Sequence, residues 1–390
     1  MHRVGFIGAG GLRGKLADLV ASVGRGIVLT AAADPNPAAL QAFRNKHGEH
    51  IRLCGDYREL LAGDDVDSVF IISPDHFHEE HACAALEAGK AVYLEKPLAI
   101  SVAGCDRILD TAYRTGTKLF VGHNLRYFPV LQTMKSLIDA GVIGEVKAIW
   151  CRHFVSYGGD AYFKDWHSEI CHTGGLLLQK GAHDIDMIHW LAGAPTRRVC
   201  AMGTLAVYGD TPRRATADPV PPVRFDTNAW PPGSNGGMSP HIDVEDHNMV
   251  LMQLGNGVQA SYLQCHFTPD AVRNYTVIGT RGRLENIGDS GECAIHLFNT
   301  RTDRFGEPDR VIPVASVDGS HAGADPAIIR AFFDFVLDGI APSVTPVDAR
   351  QAVVTGVCAT ECLKAGGGAA NVPELDPVLL NYFHRHQETR

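Results

Sequence analysis

The sequence predicts a two-domain α/β protein, in which a doubly wound parallel sheet is followed by an α+β domain with an open, mostly antiparallel sheet. First, short apolar runs alternate with amphipathic segments as far as Gly122, which is typical of parallel strands covered on both faces by helices. Second, strand and turn signals then follow one another without intervening helices, which indicates hairpins. Third, the length of 390 residues fits two domains. We therefore place the domains at residues 1–122 and 123–390.

The predicted elements of the first domain are short and regularly spaced. The strands are apolar runs that end near turn residues: Arg3–Gly8, Ile27–Ala33, Ser68–Ile72, Ala91–Leu94 and Lys118–Val121. The helices between them carry apolar residues at helical spacing: Leu16–Val23, Pro37–Lys46, His76–Ala88 and Val102–Thr115. Gly89 and Gly116 follow the last two helices, and glycine commonly ends a helix in this way.

The predicted elements of the second domain are more varied. The helices are Phe128–Ala140, Gly181–Leu191, Pro326–Leu337 and Val347–Lys364. The strands are Glu145–Val155, Val250–Leu254, Val258–Phe267, Tyr275–Ile278 and Arg283–Asn286, and Asn256-Gly257 is typical of a hairpin turn. The segment Tyr208–Asp243 is rich in proline and glycine. We predict an unstructured insertion there, which serves as a lid, a subunit arm or a plain surface excursion.

Composition and charge narrow the class of protein. Hydrophobic residues make up 45% of the chain and charged residues 20%, which excludes long disorder. The formal net charge of −9 argues against binding to nucleic acid or to an anionic membrane surface. No window approaches the roughly 18 uninterrupted apolar residues of a transmembrane helix. The ten cysteines form no C-x-x-C pair and no signal-like segment follows Met1, so we expect reduced thiols and a cytoplasmic location.

A glycine-rich loop predicts a dinucleotide site in the first domain. The run Gly8-Ala9-Gly10-Gly11-Leu12-Arg13-Gly14 follows the first strand and opens a helix, which is the context of a Rossmann fingerprint. Gly8 allows the tight turn, Gly10 allows close approach to a pyrophosphate, and the helix start supplies free N–H groups. Asp34 ends the second strand, where its carboxylate accepts ribose hydroxyls and repels a 2′-phosphate, so NAD is favoured over NADP. The alternative is a Rossmann-like sheet that has lost its ligand.

Two further segments carry candidate acid–base residues. Glu95-Lys96-Pro97 follows a predicted strand, at the carboxyl edge where open α/β sheets bind ligands. Partial desolvation there can tune Lys96 for proton transfer, whereas an ordinary surface lysine is solvated and inert. His183 and Asp186 are three residues apart and therefore share a face of their helix. The carboxylate of Asp186 can therefore orient the imidazole of His183 for proton transfer. The alternative interpretation is that His183 has only a structural role.

These segments, together with Asp75-His76-Phe77-His78 and the stretch 122–129, resemble the glucose–fructose oxidoreductase / inositol dehydrogenase / MocA (Gfo/Idh/MocA) family over nearly the whole chain. The resemblance implies NAD binding by residues 1–122, substrate binding by residues 123–390, and a homodimer or homotetramer formed through the open sheet. It implies that Lys96 and His183 are catalytic, with Asp186 as the associated acid. The implied cofactor-binding residues are Gly8, Gly10, Gly11, Leu12, Arg13, Asp34, Ser73, Pro74, His78, Glu95, Lys96 and Arg126.

The chain departs from the family's pattern near the predicted substrate site. The family often has an aspartate four residues before the histidine, where this chain has Gln179, followed by Lys180. Ser73-Pro74-Asp75 replaces Thr-Pro-Asn, and Arg13 replaces a small residue of the nucleotide loop. The candidate substrate-binding residues all carry polar groups that suit hydroxyls: Lys96, Arg126, Tyr127, His153, Tyr157, Trp166, His167, Gln179, His183 and His247.

We therefore predict an NAD(H)-dependent dehydrogenase or reductase for a secondary alcohol of a sugar, a sugar derivative or a cyclitol. An NAD-assisted glycosidase or lyase with transient oxidation and a nucleotide-sensing regulator are the alternatives. Net release of NADH distinguishes the dehydrogenase from the NAD-assisted glycosidase or lyase. A nucleotide-sensing regulator needs no proton relay, so the presence of Lys96, His183 and Asp186 argues against it. The 19 histidines raise the question of a metal, but their spacing matches no zinc pattern, so we predict no functional metal.

Overall fold

The computed structural model describes residues 1–216, 218, 225–315, 317 and 321–388, without the side chains of Leu12 and Arg13. The first 124 residues contain a six-stranded parallel sheet in the order β3-β2-β1-β4-β5-β6. Its strands are β1 (His2–Ile7), β2 (Ile27–Ala33), β3 (Arg52–Cys54), β4 (Ser68–Ile71), β5 (Ala91–Leu94) and β6 (Leu119–Val121). Its helices are α1 (Leu16–Ser22), α2 (Pro37–His47), α3 (Tyr57–Leu61), α4 (His78–Glu87) and α5 (Val102–Thr115). The predicted doubly wound sheet is confirmed.

Local sequence signals explain where these helices begin and end. Asn36 accepts a hydrogen bond from the backbone of Ala38, which caps α2. Ser101 does the same for α5 through the backbone N–H of Gly104. Gly116 then ends α5 in the left-handed conformation, at φ 67°.

The second half of the chain begins with α6 and ends with α13. Its helices are α6 (Pro129–Asp139), α7 (Gly158–Ala161), α8 (Ile170–Thr173), α9 (Leu176–Gln179), α10 (Gly181–Ala192), α11 (Ala324–Asp338), α12 (Pro346–Lys364) and α13 (Pro377–His384). Its strands are β7 (Val146–Phe154), β8 (Thr196–Thr204), β9 (His247–Leu254), β10 (Gln259–Cys265), β11 (Val272–Gly279), β12 (Gly282–Ile287), β13 (Cys293–Phe298), β14 (Arg310–Val314) and β15 (Ala369–Asn371). No helix among the described residues has the length and apolar content needed to cross a membrane.

A nine-stranded sheet with the order β14-β13-β12-β11-β7-β10-β9-β8-β15 dominates this half. Only the β7–β10 pair is parallel among its described pairs, so the predicted mostly antiparallel sheet is confirmed. Helix α10 packs against β7 and β10, and α6 packs against β12 to β14. Side chains alternate along the strands, so that Cys151 and His153 are buried while Trp150 and Arg152 are exposed.

The chain divides into two compact units, and their boundaries differ from the predicted single boundary at residue 122. The first unit contains residues 1–124, 325–353 and the segment from 374 onward, and the second contains residues 125–324 and 354–373. Helix α11 joins the first unit because Phe332 packs edge-on against Phe70 of β4, with ring centroids 5.1 Å apart. In addition, Lys118 Nζ donates a hydrogen bond to the carbonyl of Phe335 at 2.8 Å. The assignment of NAD binding and substrate binding to the two domains stays a prediction.

The C-terminal segment also closes one edge of the parallel sheet. The backbone N–H of Leu119 in the edge strand β6 donates to Gln387 Oε1, and Gln387 Nε2 donates to the carbonyl of Leu119, both at 2.8 Å. This pair of bonds satisfies groups that an edge strand otherwise leaves open.

The segment 208–243 differs from the predicted unstructured insertion in its described parts. Tyr208, Met238 and Ile242 are buried in one apolar cluster with Phe163. The backbone of Ser239 bonds to Phe163, and Arg213 forms a bridge with Met238. Both ends of the segment are therefore packed, whereas residues 217 and 219–224 lie outside the described residues.

Candidate active site

The glycine loop lies directly against the end of a neighbouring strand. Gly8 has φ +95°, and a Cβ there would lie 3.1 Å from backbone atoms of Ile72 and Ser73, just after β4. Glycine is thus required on both conformational and steric grounds. Gly11 also has a positive φ, of +70°, whereas Gly10 is unstrained and close only to Ala39. The loop continues into a short 3-10 helix, Leu12–Lys15, ahead of α1.

Asp34 holds the glycine loop against the end of β2. One carboxylate oxygen accepts the backbone N–H of Ala9, and the other accepts that of Asn36, each at 2.8 Å. A carboxylate offers about four acceptor positions, so these two bonds leave capacity for ribose hydroxyls. The backbone geometry of Gly8 and the half-buried Asp34 therefore fit a dinucleotide. The predicted contacts by the side chains of Leu12 and Arg13 lie outside the described residues.

His78 joins the loops that follow β4 and β5. Its ring is 1% exposed. Nε2 lies 3.0 Å from the carbonyl of Ser73, and Nδ1 lies 2.6 Å from the carbonyl of Pro97. His78, predicted as a cofactor contact, thus also has a structural role, because it holds the backbone just before Pro74 and just after Lys96.

Glu95 and Lys96 follow β5 directly. Glu95 is buried, and its carboxylate accepts the backbone N–H of Lys96 at 3.2 Å and the hydroxyl of Tyr93 at 3.4 Å. The Lys96 side chain is half-buried, and the Lys96–Pro97 peptide is cis. Since β2, β1, β4 and β5 are adjacent parallel strands, their carboxyl ends bring the glycine loop, Asp34, Ser73 and Lys96 to one sheet edge.

Arg126 and Asp186 form a buried bidentate ion pair in the second unit. Arg126 Nε and a terminal nitrogen lie 3.0 Å and 2.6 Å from the two carboxylate oxygens, and both side chains are at least 96% buried. The guanidinium also lies over the ring of Trp190, 5.6 Å from its centroid. The pair fixes the orientation of α10, where His183 is buried in the first turn. The predicted roles of Arg126 in binding and of Asp186 in catalysis stay predictions.

Asp184 is the centre of a network that the sequence did not indicate. It is fully buried, and one oxygen contacts His153 Nδ1 at 2.8 Å and the hydroxyl of Tyr262 at 3.1 Å. The other oxygen contacts the hydroxyl of Tyr275 at 2.5 Å and Arg273 Nε at 3.0 Å. Burial acts to raise the pKa of Asp184, but the charge of Arg273 and the bond from His153 outweigh it and hold the pKa below its usual value.

His153, a predicted substrate contact, is therefore committed to Asp184 through Nδ1. Burial, and then the charge of Arg273, lower the pKa of His153 to about 4, so its imidazole is neutral at neutral pH. Alternation along β10 places Tyr262 on the covered side of the sheet, and Arg273 and Tyr275 share a face of β11 because they are two residues apart.

Most of the other predicted substrate residues belong to the second unit. Lys180 Nζ donates a hydrogen bond to the hydroxyl of Tyr157 at 3.2 Å, and the preceding Gln179 is buried. Trp166 stacks on His167, whose Nδ1 lies 2.6 Å from Asp165. Tyr127 is half-buried after Arg126, and His247 Nδ1 lies 3.2 Å from Asp246.

One surface group has a composition that suits a metal. Ligand atoms of Glu169, Cys171 and His172 lie within 4.8 Å of one another around the start of α8, and Cys171 is exposed. The set has three members, and it resembles neither the four-ligand structural zinc sites nor a buried catalytic centre. The prediction of no functional metal stays a prediction.

Comparison with known families decides the class of protein. Residues 2–123 match a model described as "Oxidoreductase family, NAD-binding Rossmann fold". Residues 135–369 match one described as "Oxidoreductase family, C-terminal alpha/beta domain". The chain belongs to the Gfo/Idh/MocA oxidoreductase family. The predicted family, the oxidoreductase class and an NAD-binding Rossmann domain are confirmed.

The similar curated proteins are oxidoreductases by name. YteT of Bacillus subtilis (strain 168), named as an oxidoreductase, is 24% identical over 78% of this chain and 82% of its own length. 1-Carboxy-3-chloro-3,4-dihydroxycyclohexa-1,5-diene dehydrogenase of Comamonas testosteroni is 32% identical over 52% of this chain and 50% of its own. Inositol 2-dehydrogenase of Klebsiella pneumoniae (strain 342) is 31% identical over 50% of this chain and 56% of its own length. The chain thus spans about half the length of the last two relatives.

Solved structures of Gfo/Idh/MocA type share the fold at low identity. Levoglucosan dehydrogenase in complex with NADH and levoglucosan has a TM-score of 0.77 at 21% identity, over 96% of this chain and 100% of that one. Scyllo-inositol dehydrogenase from Lactobacillus casei, with NAD(H) and scyllo-inositol, has a TM-score of 0.71 at 21% identity, over 95% and 99%. These likenesses support the architecture of both sheets.

Proposed function

We propose that this Gfo/Idh/MocA protein is an NAD(H)-dependent dehydrogenase or reductase that acts on a secondary alcohol of a sugar, a sugar derivative or a cyclitol. The observation that carries the proposal is the shared sheet edge, where the Gly8 loop, Asp34 and the half-buried Lys96 follow adjacent parallel strands. A nucleotide loop and a candidate proton-transfer group thus belong to one rigid sheet. The names of the inositol and carboxycyclohexadiene dehydrogenases indicate oxidation of ring alcohols and support this substrate class.

NAD is the cofactor that these residues suit best. Gly8, Gly10 and the start of the following helix would hold the pyrophosphate, and Asp34 would accept the ribose hydroxyls. The negative charge of Asp34 disfavours the 2′-phosphate of NADP. When bound, NAD supplies an acceptor for the hydride of the alcohol carbon.

We assign proton transfer to Lys96 and His183. During oxidation one of the two takes the hydroxyl proton, and during reduction it returns a proton to the alkoxide. In its ammonium form, Lys96 also stabilises negative charge on that oxygen. The Arg126–Asp186 pair keeps α10, and with it His183, in a fixed orientation. No metal takes part in this assignment.

The test is NAD⁺ reduction with a panel of monosaccharides, anhydrosugars, glycosides and inositols, measured at 340 nm. Lys96→Met should lower turnover of the responding substrate by roughly 10²- to 10⁴-fold, the usual contribution of general acid–base catalysis. NADH binding, followed by fluorescence, should change little. An unchanged rate in Lys96→Met overturns the assignment of Lys96. Glycoside cleavage without net NADH would instead support the alternative NAD-assisted glycosidase or lyase.

We also propose that the protein is a homodimer or homotetramer, formed through the exposed face of the nine-stranded sheet. Trp150, Met202, Met249 and Leu251 are all more than half exposed. In the strand register Met249 lies opposite Met202, so these side chains form neighbouring positions on one surface, which we call the open sheet face. Contiguous exposed apolar surface of this kind marks association sites. The ten cysteines are free thiols, which suits the cytoplasmic location that we propose.

A further inference from the structure

Lys180 is a half-buried cation placed between two tyrosine rings. Its ammonium donates to the hydroxyl of Tyr157 at 3.2 Å and lies 5.6 Å from the ring centroids of both Tyr157 and Tyr162. In the part of the chain that the structure describes, no carboxylate forms an ion pair with Lys180. Buried or half-buried charges are normally paired, because desolvation without a partner is costly.

The neighbouring charges do not supply the missing counter-ion. Arg273 is a second cation that acts on Lys180 electrostatically. It pairs with Asp184 at 3.0 Å and with Asp289 at 3.5 Å, so these two acids are already engaged. Lys180 is also the N-cap residue of α10, and its side chain makes no capping hydrogen bond there. A positive charge at this end of a helix is unfavourable, because it opposes the helix dipole. A negative group beside Lys180 would offset both unfavourable features.

Lys180 and Tyr157 can act together as hydrogen-bond donors. Burial acts to lower the pKa of Lys180, but the hydroxyls of Tyr157 and Tyr162 outweigh it and raise the pKa, so the ammonium persists. The charge of Lys180 in turn lowers the pKa of Tyr157. Since the Tyr157 oxygen accepts from Lys180, its own proton is directed elsewhere. The two groups therefore offer adjacent donors, as the two oxygens of a carboxylate require.

A second group near the same ring lacks polar partners. His266 is fully buried, and neither ring nitrogen has a hydrogen-bond partner among the described residues. Its ring meets Tyr162 edge-on, with centroids 5.2 Å apart. Buried polar atoms are almost always satisfied, so an unsatisfied imidazole at this place indicates a region that receives polar atoms from a ligand or from water.

We propose that Lys180 and Tyr157 form a subsite for a carboxylate of the substrate, so that the preferred substrates are ring polyols that carry an acid group, such as hexuronates. The proposal rests on the dehydrogenase function proposed above and names its substrate class. It predicts discrimination between sugars that share a ring but differ in charge.

The test compares kcat/KM for glucuronate with glucose and for galacturonate with galactose, with glucose 6-phosphate as a second anion. The wild-type enzyme should prefer each uronate. Lys180→Met should lower the uronate-to-neutral ratio by roughly 10- to 100-fold, the loss of about one charge-assisted hydrogen bond, mainly through KM. Tyr157→Phe should lower the ratio in the same direction. Lys135→Met on α6, which removes a lysine paired with Asp139, is the matched control and should leave the ratio unchanged.

Each other outcome has a distinct meaning. Turnover of neutral sugars without a preference for uronates, or an equal loss on both classes in Lys180→Met, overturns the subsite but leaves the dehydrogenase function. A preference for glucose 6-phosphate overturns the carboxylate. If no polyol is oxidised, the proposed function fails. Calorimetric titration of the NADH-saturated protein with glucuronate then tests the subsite alone. Binding by the wild type that is lost in Lys180→Met supports the subsite, and absence of binding by the wild type overturns it. Melting curves confirm that the variants are folded.

Discussion

The two faces of the nine-stranded sheet each carry side chains that depart from the usual pattern of a half-covered sheet. On the covered face, Asp184 of α10 contacts side chains from β7, β10 and β11, which are buried except for Arg273, whose side chain is 9% exposed. On the open sheet face, four apolar residues at intervening positions are more than half exposed, beside polar ones such as Arg152: Trp150, Met202, Met249 and Leu251. A half-solvated sheet ordinarily places apolar residues inside and polar ones outside. The covered face thus adds a buried polar network to its apolar core, and the exposed apolar side chains of the open sheet face suit the association proposed above.

The largest expected effect comes from removing the centre of the covered face. Asp184→Ala leaves Arg273 buried with one acid fewer and removes the acceptor of His153 and Tyr275. Breaking a buried ion pair typically costs about 3–5 kcal/mol, so we expect a loss of that size in the free energy of unfolding, measured with urea.

The matched control removes the other acid of Arg273. Asp289 is 28% exposed, and its contact with Arg273 is longer, at 3.5 Å. Asp289→Ala should therefore cost less than about 1 kcal/mol. Equal losses in the two variants would contradict the central role of Asp184.

The next effect concerns the open sheet face. Leu251→Asp introduces a charge among Met202, Met249 and Trp150, so it should dissociate the oligomer, as seen by light scattering coupled to gel filtration. We expect the dissociation constant to rise by at least about 30-fold, as for a central interface residue. Thermal stability of the monomer should change little, because Leu251 is already exposed within one chain.

Val311 provides the matched control for this variant. It is also an exposed apolar residue, but it belongs to β14, at the far end of the sheet. Val311→Asp should leave the oligomer intact. A wild-type protein that is monomeric at micromolar concentration would refute the association role of the open sheet face.

The third expected effect is a pH dependence of the covered face. The pKa of His153 falls from 6.5 to about 4 on folding, so the unfolded chain binds more protons between these values. Stability from this residue is therefore complete above pH 6.5 and is lost as the pH falls towards 4, by at most about 1.4 kcal/mol per pH unit.

Other histidines contribute to the same slope, among them the half-buried His81, whose pKa is also lowered by partial burial to about 4. The contribution of His153 is thus the difference between the wild type and His153→Gln in how steeply the free energy of unfolding changes with pH. It is measured by urea unfolding at several pH values. A shallower slope in the variant is expected. Identical slopes would mean that His153 is not a neutral donor to Asp184.

Much of the fold followed from local patterns in the sequence. The apolar runs that alternate with helices as far as Gly122, and the later strands joined by turn residues, depend on neighbouring residues, and they predicted the two kinds of sheet. β3 was missed because it has only three residues, and β8 because Arg197 and Arg198 interrupt its apolar pattern. The return of α11 to the first unit depends on contacts such as Phe332 with Phe70, which no local pattern contains.

The candidate site shows the same limit. Lys96 and Asp34 were predicted from their positions after strands, and the structure places both at the carboxyl edge of the sheet. Arg126 and Asp186 were both singled out, but their ion pair was not, because 60 residues separate them. The partners of Asp184 come from three strands. His153 was singled out for another role, whereas Tyr262, Arg273 and Tyr275 look like ordinary strand residues until the sheet is assembled.

The bonds between Gln387 and Leu119 have a consequence for synthesis of the chain. A ribosome makes β6 long before residue 387, so in the nascent chain the backbone of Leu119 on this edge is not yet capped. An exposed edge of this kind can recruit a strand from another molecule. The side chain that caps Leu119 is translated 268 residues later, so this part of the edge stays open until synthesis of the chain is almost complete.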